Sequence, residues 1–194
     1  ARSRDGAERA EPTWIEAQYT LSAYLNQKTP PVEFTDSGDE TLWWTVGRWL
    51  ADGHIDSHGG AILSIGSDKW DEFVNKAGRF VVNTPHEGTA LQVLLTDPHR
   101  ELRNILEHCG SGAGQKHLPP AAFVLPFEQS KALIDGYLSG DGHFISERNS
   151  WQASSISRDL LLGLSILVQR VYQSIPSIFA GRPQREHVIE GRTV

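Results

Sequence analysis

The chain has no methionine and a single cysteine, Cys109, in 194 residues. One thiol excludes an intrachain disulfide framework and a cysteine-rich zinc site. The default setting is then reducing and intracellular, a cytoplasm. No apolar run approaches the roughly 20 residues of a membrane span. The polar opening, residues 1–10, has no signal-peptide pattern, so no membrane partner is expected. With no methionine and Ala1 at its head, the sequence reads as a processed, excised or trimmed piece. Basic charge is also scarce: 18 Lys and Arg face 24 Asp and Glu, for a net charge of −6. That balance speaks against a global positive field of the kind that draws nucleic acid.

The hydrophobic share of 39%, with 18 Gly, is ordinary for a globular chain able to bury a core. Charge is uneven along it. Residues 1–42 sum to −4, residues 43–142 to −4, and residues 143–194 to +2. Glu33, Asp36, Asp39 and Glu40 crowd into a run with Pro30, Pro31 and Gly38, which reads as a solvated linker. Ahead of it, Trp14, Ala17, Leu21 and Leu25 have near-helical spacing, so residues 1–42 read as an extension with one helix over 14–25.

The remainder repeats itself. GRWLADGHI at residues 47–55 aligns with GYLSGDGHF at residues 136–144, an offset of 89. Gly47/Gly136, Asp52/Asp141, Gly53/Gly142 and His54/His143 are identical pairs. SIGSD at residues 64–68 resembles SISRD at residues 155–159, so a whole supersecondary unit is duplicated. Each copy predicts a helix (43–51, 130–140) stopped by the C′ glycine Gly53 or Gly142. A strand pair follows, 54–57 with 61–65 and 143–146 with 151–156. Ser67 and Ser157 then stand as N-caps of helices over 69–76 and 158–172. A second strand pair is predicted at 79–83 with 89–95, and at 177–180 with 187–189. The first copy ends in a helix over 98–109; in the second copy that helix is missing or truncated. The segments are therefore 1–42, a first repeat 43–110, a linker 111–129 and a second repeat 130–194.

Two features of the motif oppose helix stability in both copies. Gly47 and Gly136 lie inside helices, where Gly costs about 1 kcal/mol relative to Ala. Asp52 and Asp141 lie at helix C-termini, where the dipole disfavours negative charge. A mid-helix Gly makes sense where another backbone approaches closely. The acids make sense where a cation neutralises them. Packing the two helices side by side brings both acids to one end, a carboxylate pair suited to Mg²⁺ or another hard divalent ion. The eight histidines point elsewhere: His54 and His58 run through a strand and a turn, so their rings need not converge on zinc.

On these residues the chain resembles the LAGLIDADG homing endonucleases with two motifs in one chain, and most closely the endonuclease domains carried inside inteins. Residues 45–53 and 134–142 fill the nine motif positions, and Gln115-Lys116-His117-Leu118-Pro119 resembles the Lys-x-x-Pro block ahead of the second motif. The resemblance covers residues 40–194. Most other motif positions are substituted, the self-splicing ends of an intein are not seen, and the family's second lysine has no clear counterpart. The resemblance implies an α+β fold of two pseudo-symmetric αββαββα repeats, packed through the motif helices, with saddle-like antiparallel sheets. It implies a monomer with internal pseudo-twofold symmetry and double-stranded DNA as partner.

The activity implied is site-specific, metal-dependent cleavage of both strands at a long, asymmetric site. Asp52 and Asp141 would bind the metals, with the carbonyls of Gly53 and Gly142 in reach, and Lys116 would stand near the scissile phosphate. Strand pairs in the major groove would read bases with alternate side chains. The candidates are Arg79, Asn83, Thr89 and Gln92 in the first repeat. In the second they are Ser146, Arg148, Ser150, Gln152 and Ser154, with Arg182, Gln184, Arg185 and His187 near the end. The rival readings are a non-cleaving DNA-binding regulator or decayed endonuclease, an RNA maturase of the same fold, and an unrelated α/β interaction module.

Overall fold

The computed structural model describes residues 38–82, 90–97 and 99–179, with the backbone of 188–189 and 192–193. The expected helix over 14–25 lies outside the described residues.

Helix α1 (Glu40–Asp52) is the centre of the fold. Asp39 caps it, its Oδ1 accepting from the Leu42 amide at 2.8 Å, which satisfies one of the free first-turn donors. Every residue from Trp43 to Leu50 is buried, so the helix is covered on all sides. Its main neighbour is α4 (Phe127–Asp141). The two backbones touch at matched glycines. A Cβ on Gly47 would collide with the Leu133 carbonyl oxygen, and one on Gly136 with the Trp44 carbonyl oxygen. The contacts are reciprocal, each glycine meeting the carbonyl three residues before the other. The close approach expected of these two glycines is therefore present.

Strands β1 (Gly53–Ile55), β2 (Ala61–Gly66) and β3 (Ala90–Leu95) form an antiparallel sheet in the order β1-β2-β3. Alternation decides its faces. Ala61, Leu63 and Ile65 face inward opposite Leu95, Val93 and Leu91. Helix α2 (Trp70–Ala77) adds Phe73 and Ala77 to the same core, and Phe73 packs on Trp44 with ring centroids 6.0 Å apart. Helix α3 (Glu101–Leu106) starts on Asp97, whose carboxylate accepts from the Glu101 and Leu102 amides at 2.8 and 2.7 Å. Beyond α4, strands β4 (Gly142–Ile145) and β5 (Ser150–Ala153) form a hairpin. Helix α5 (Arg158–Tyr172) follows, packing Leu160, Leu164, Leu167 and Val171 inward. Strands β6 (Val188–Ile189) and β7 (Arg192–Thr193) pair with each other. Among the described residues no helix is long and apolar enough to cross a membrane. The class is α+β with antiparallel sheets.

Several local expectations are corrected. Gly53 and Gly142 do not stop their helices through a left-handed turn. Both are extended (φ −94° and −88°), and what they lack is room: a Cβ would strike the Trp49 ring in one case and the Leu138 carbonyl in the other. Ser157 does cap α5, accepting from the Leu160 amide at 3.2 Å. Ser67 instead opens a short 3₁₀ turn and makes no capping bond. The strand expected at 79–83 shrinks to one bridge, Val81 with Leu95. Residues Gly78–Phe80 turn instead, because Phe80 is buried and the Arg79 guanidinium lies 4.6 Å from its ring centroid. Helix α3 is shorter than expected, its end tightening into turns at His108 and Cys109. Residues 177–179 form no strand, and β6 pairs with β7 instead.

The helix contact makes a direct prediction. Gly47→Ala and Gly136→Ala should each cost about 3 kcal/mol or more by forcing the helices apart. Gly114→Ala should lie within about 0.5 kcal/mol of the parent, since a Cβ there meets nothing nearer than 3.8 Å. Denaturant unfolding of the three variants measures this.

Candidate active site

The two motif acids end the two packed helices, Asp52 on α1 and Asp141 on α4. A Cβ on Gly140 would stand 2.9 Å from Asp52 Oδ2, so the Asp52 carboxylate lies against α4 one residue from Asp141. The arrangement concentrates negative charge, because two helix C-termini and two carboxylates share one corner of the molecule. Burial, and then the neighbouring Asp52 charge, push the Asp141 carboxyl above its ordinary value.

Among the described residues three cations answer this charge, and each is placed by a different element. Lys116 comes from the chain between the halves and is 5% exposed. Its Nζ donates to the carbonyls of Trp49, Leu50 and Ala51 at 3.1, 2.9 and 3.4 Å. All three ammonium donors thus close the last turn of α1, satisfying carbonyls that a helix end leaves free. Burial lowers the Lys116 pKa, and Asp141 and Asp52 act against that. The segment is held because the Ser157 hydroxyl donates to the Lys116 carbonyl, and because Leu118 packs on Gly163 of α5. Arg48, 3% exposed, pairs with Asp52 one turn further on. Lys69 donates from the turn before α2 to the Ser139 carbonyl at 2.9 Å. Ser139 is the position in α4 that matches Leu50 in α1, so an ammonium meets the same carbonyl near the end of each motif helix.

Arg48, Lys69 and Tyr137 belong to the site although they are not among the candidates above. Arg48 and Tyr137 sit four residues before Asp52 and Asp141, the spacing that puts two helix residues on one face. That spacing was a usable signal. Lys69 had none, since only the fold brings it to α4. Tyr137 is buried, donates to the Ser154 carbonyl at 3.1 Å and stands in hydrogen-bonding reach of Asp141. Burial, and then the Asp141 charge, push its phenol pKa up.

Gly53 and Gly142, the candidate carbonyl ligands, directly follow the acids and begin β1 and β4. Among the described residues no group of three or more His, Cys, Asp and Glu could hold a metal. The donor set is two carboxylates, hard oxygen ligands. It fits Mg²⁺, which typically takes one or two protein carboxylates and fills its shell with water and substrate phosphate. Cys109 is fully buried, and burial pushes its thiol up to about 12, which removes it from thiolate chemistry. A cleft of about 430 Å³ lies elsewhere, lined by His58, Asp97, Arg100 and Arg103 among others. Neither Asp52 nor Asp141 lines it.

The candidate base-reading residues divide. Ser150 and Gln152 share one face of the β4–β5 hairpin with His143 and Ile145, Ser146 and Arg148 lie in its turn, and Ser154 follows it. Of these five, all but the half-buried Ser150 are exposed. Gln92 is on the outward face of the first sheet, donating to the Ser64 hydroxyl at 2.8 Å, and His54 shares that face. Arg79 lies in a turn rather than a strand, its guanidinium paired with Asp39 at 2.5 and 2.7 Å. Asn83, Thr89, Arg182, Gln184, Arg185 and His187 lie outside the described residues. No protein-family model matches this chain, and no curated protein matches it.

The electrostatics make opposed predictions for two substitutions, both read as thermal melts in metal-free buffer. An acid whose pKa is raised by folding contributes stability that is full below its ordinary value, 3.8, and lost as pH rises through the folded value. Asp141→Asn should therefore melt higher than the parent at pH 7, and the gain should vanish as pH falls below 3.8. Lys116→Met should melt lower at pH 7, losing about 3 kcal/mol, because three helix-end carbonyls and two acids lose their buried cation.

Proposed function

We propose that this chain is a LAGLIDADG-type endonuclease that cuts both strands of double-stranded DNA by metal-dependent phosphodiester hydrolysis. One observation carries the reading. Two acids end two helices whose glycines meet each other's carbonyls reciprocally, so a single corner presents a matched carboxylate pair. The offset of 89 between the motifs, and the strand pair that follows each, support two pseudo-symmetric repeats.

In this mechanism Asp52 and Asp141 would hold the cation, each acid serving one strand. Bound there, Mg²⁺ would supply an activated water and charge stabilisation at the scissile phosphate. Lys116 holds the end of α1 in place and adds positive potential beside the two acids. Arg48 orients Asp52, and Tyr137 orients Asp141. The outward faces bearing His54, Ser64 and Gln92, and His143, Ser150 and Gln152, would lie in successive major grooves, with exposed Ser146, Arg148 and Ser154 at the hairpin's turn and end. Both halves of the site are in one chain, which suits a monomer and a target that is not a strict palindrome.

One feature favours a second reading, a DNA-binding regulator that does not cut. Arg48 and Lys116 place two positive charges beside the two acids, so the pair is balanced without a metal.

Incubation with Mg²⁺ and a DNA library, followed by sequencing of the cut ends, decides between them. The nuclease reading expects a defined double-strand break that Asp52→Asn and Asp141→Asn each reduce by about 100-fold or more. Cleavage of both strands that persists in either variant refutes the assignment of the acids. Tight, specific binding without any cut establishes the regulator.

A further inference from the structure

Matched positions of the two motif helices carry different side chains. Arg48 follows Gly47 and Tyr137 follows Gly136, each four residues before its acid. Arg48 is buried, and its Nη1 is paired with Asp52 Oδ2. The guanidinium fills the space that Gly140 leaves on α4, since a Cβ there would collide with Nη1. The opposite helix thus backs the cation against Asp52.

Asp141 is held differently. Its one-turn neighbour is the neutral Tyr137 phenol, already engaged by the Ser154 carbonyl. Among the described residues Asp141 makes no ion pair. Lys116 and Arg48 reach it only through space, and Lys116 spends its donors on α1 carbonyls.

We propose that Arg48 is a positioning residue that makes the two acids unequal: as a resident cation it occupies Asp52, leaves Asp141 as the first docking point for a divalent ion, and so sets the order in which the two DNA strands are cut. This rests on the nuclease reading and adds an order to it. A divalent ion arriving at Asp52 must compete with a guanidinium buried against α4. At Asp141 it meets a carboxylate with no paired cation, and binding relieves the repulsion between the acids. Lys69 bonds the Ser139 carbonyl and makes no ion pair with that carboxylate.

Calorimetric titration with Mn²⁺, without DNA, reads binding independently of activity. Asp141→Asn should weaken the tightest site about tenfold or more, while Asp52→Asn should change it less than about threefold. Arg48→Met, placed in the Asp141→Asn background, should recover about tenfold in affinity by freeing Asp52, whereas Arg48→Lys, which keeps a cation, should not. On supercoiled target plasmid the wild type should accumulate a nick in one defined strand. Equal weakening by the two Asn variants overturns the proposal and leaves the nuclease reading standing. So does Arg48→Met without effect. A wild type that binds no Mn²⁺ overturns the nuclease reading and this proposal with it. The two Asn variants decide the point even where Arg48→Met fails to fold.

Discussion

The close approach of α1 and α4 is the constraint on which the rest depends. Two helices can bring backbone to backbone only where neither presents a Cβ, and Gly47 and Gly136 supply that at matched points. Because the contact is reciprocal, the two helices end at the same corner. That is what places Asp52 beside α4 and lets Asp141 feel its charge. Everything downstream follows in register, since β1 and β4 leave from the residues right after the acids. The cost of two mid-helix glycines is met by the burial of α1 on every side, which includes five aromatic or branched apolar residues at 1% exposure or less: Leu42, Trp43, Val46, Trp49 and Leu50.

A corner that gathers two helix C-termini and two carboxylates is unfavourable until cations answer it. The fold answers with three, and each also does structural work. Lys116 closes α1, Lys69 bonds a carbonyl near the end of α4, and Arg48 bridges one turn of α1 against α4. The site is therefore poised rather than inert. Its acids are compensated well enough to fold, yet Asp141 keeps a raised pKa and, among the described residues, no direct ion pair. Such a residual imbalance is typical of functional sites, where environments are arranged to perturb titration. The net charge of −6 also takes on a local meaning, because part of the acidity stands at this corner.

Much of this was legible in the chain, for identifiable reasons. The 89-residue offset located both helices and both acids, and α5 begins and ends where its apolar spacing places it, at Arg158 and Tyr172. Gly47 and Gly136 declared a backbone contact because Gly inside a helix has a cost that something must repay. What stayed hidden depends on contacts distant in sequence. Lys69 looks like an ordinary lysine before a helix, and nothing local says that it reaches α4. Arg48 looked like a motif substitution until Gly140 was seen to make room for it. The strand at 79–83 failed because Phe80 goes to the core and Arg79 goes to Asp39, a competition that strand propensity does not register.

The helix contact puts Asp52 and Asp141 into one shared field. A double-mutant cycle between Asp52→Asn and Asp141→Asn, measured as unfolding free energy in metal-free buffer at neutral pH, tests it most directly. Whatever each single substitution does alone, the two acids repel, so the double variant should be less stable than the sum of the single effects, by a coupling of about 0.5 kcal/mol or more. Additivity within about 0.3 kcal/mol would mean that the two acids do not share a site.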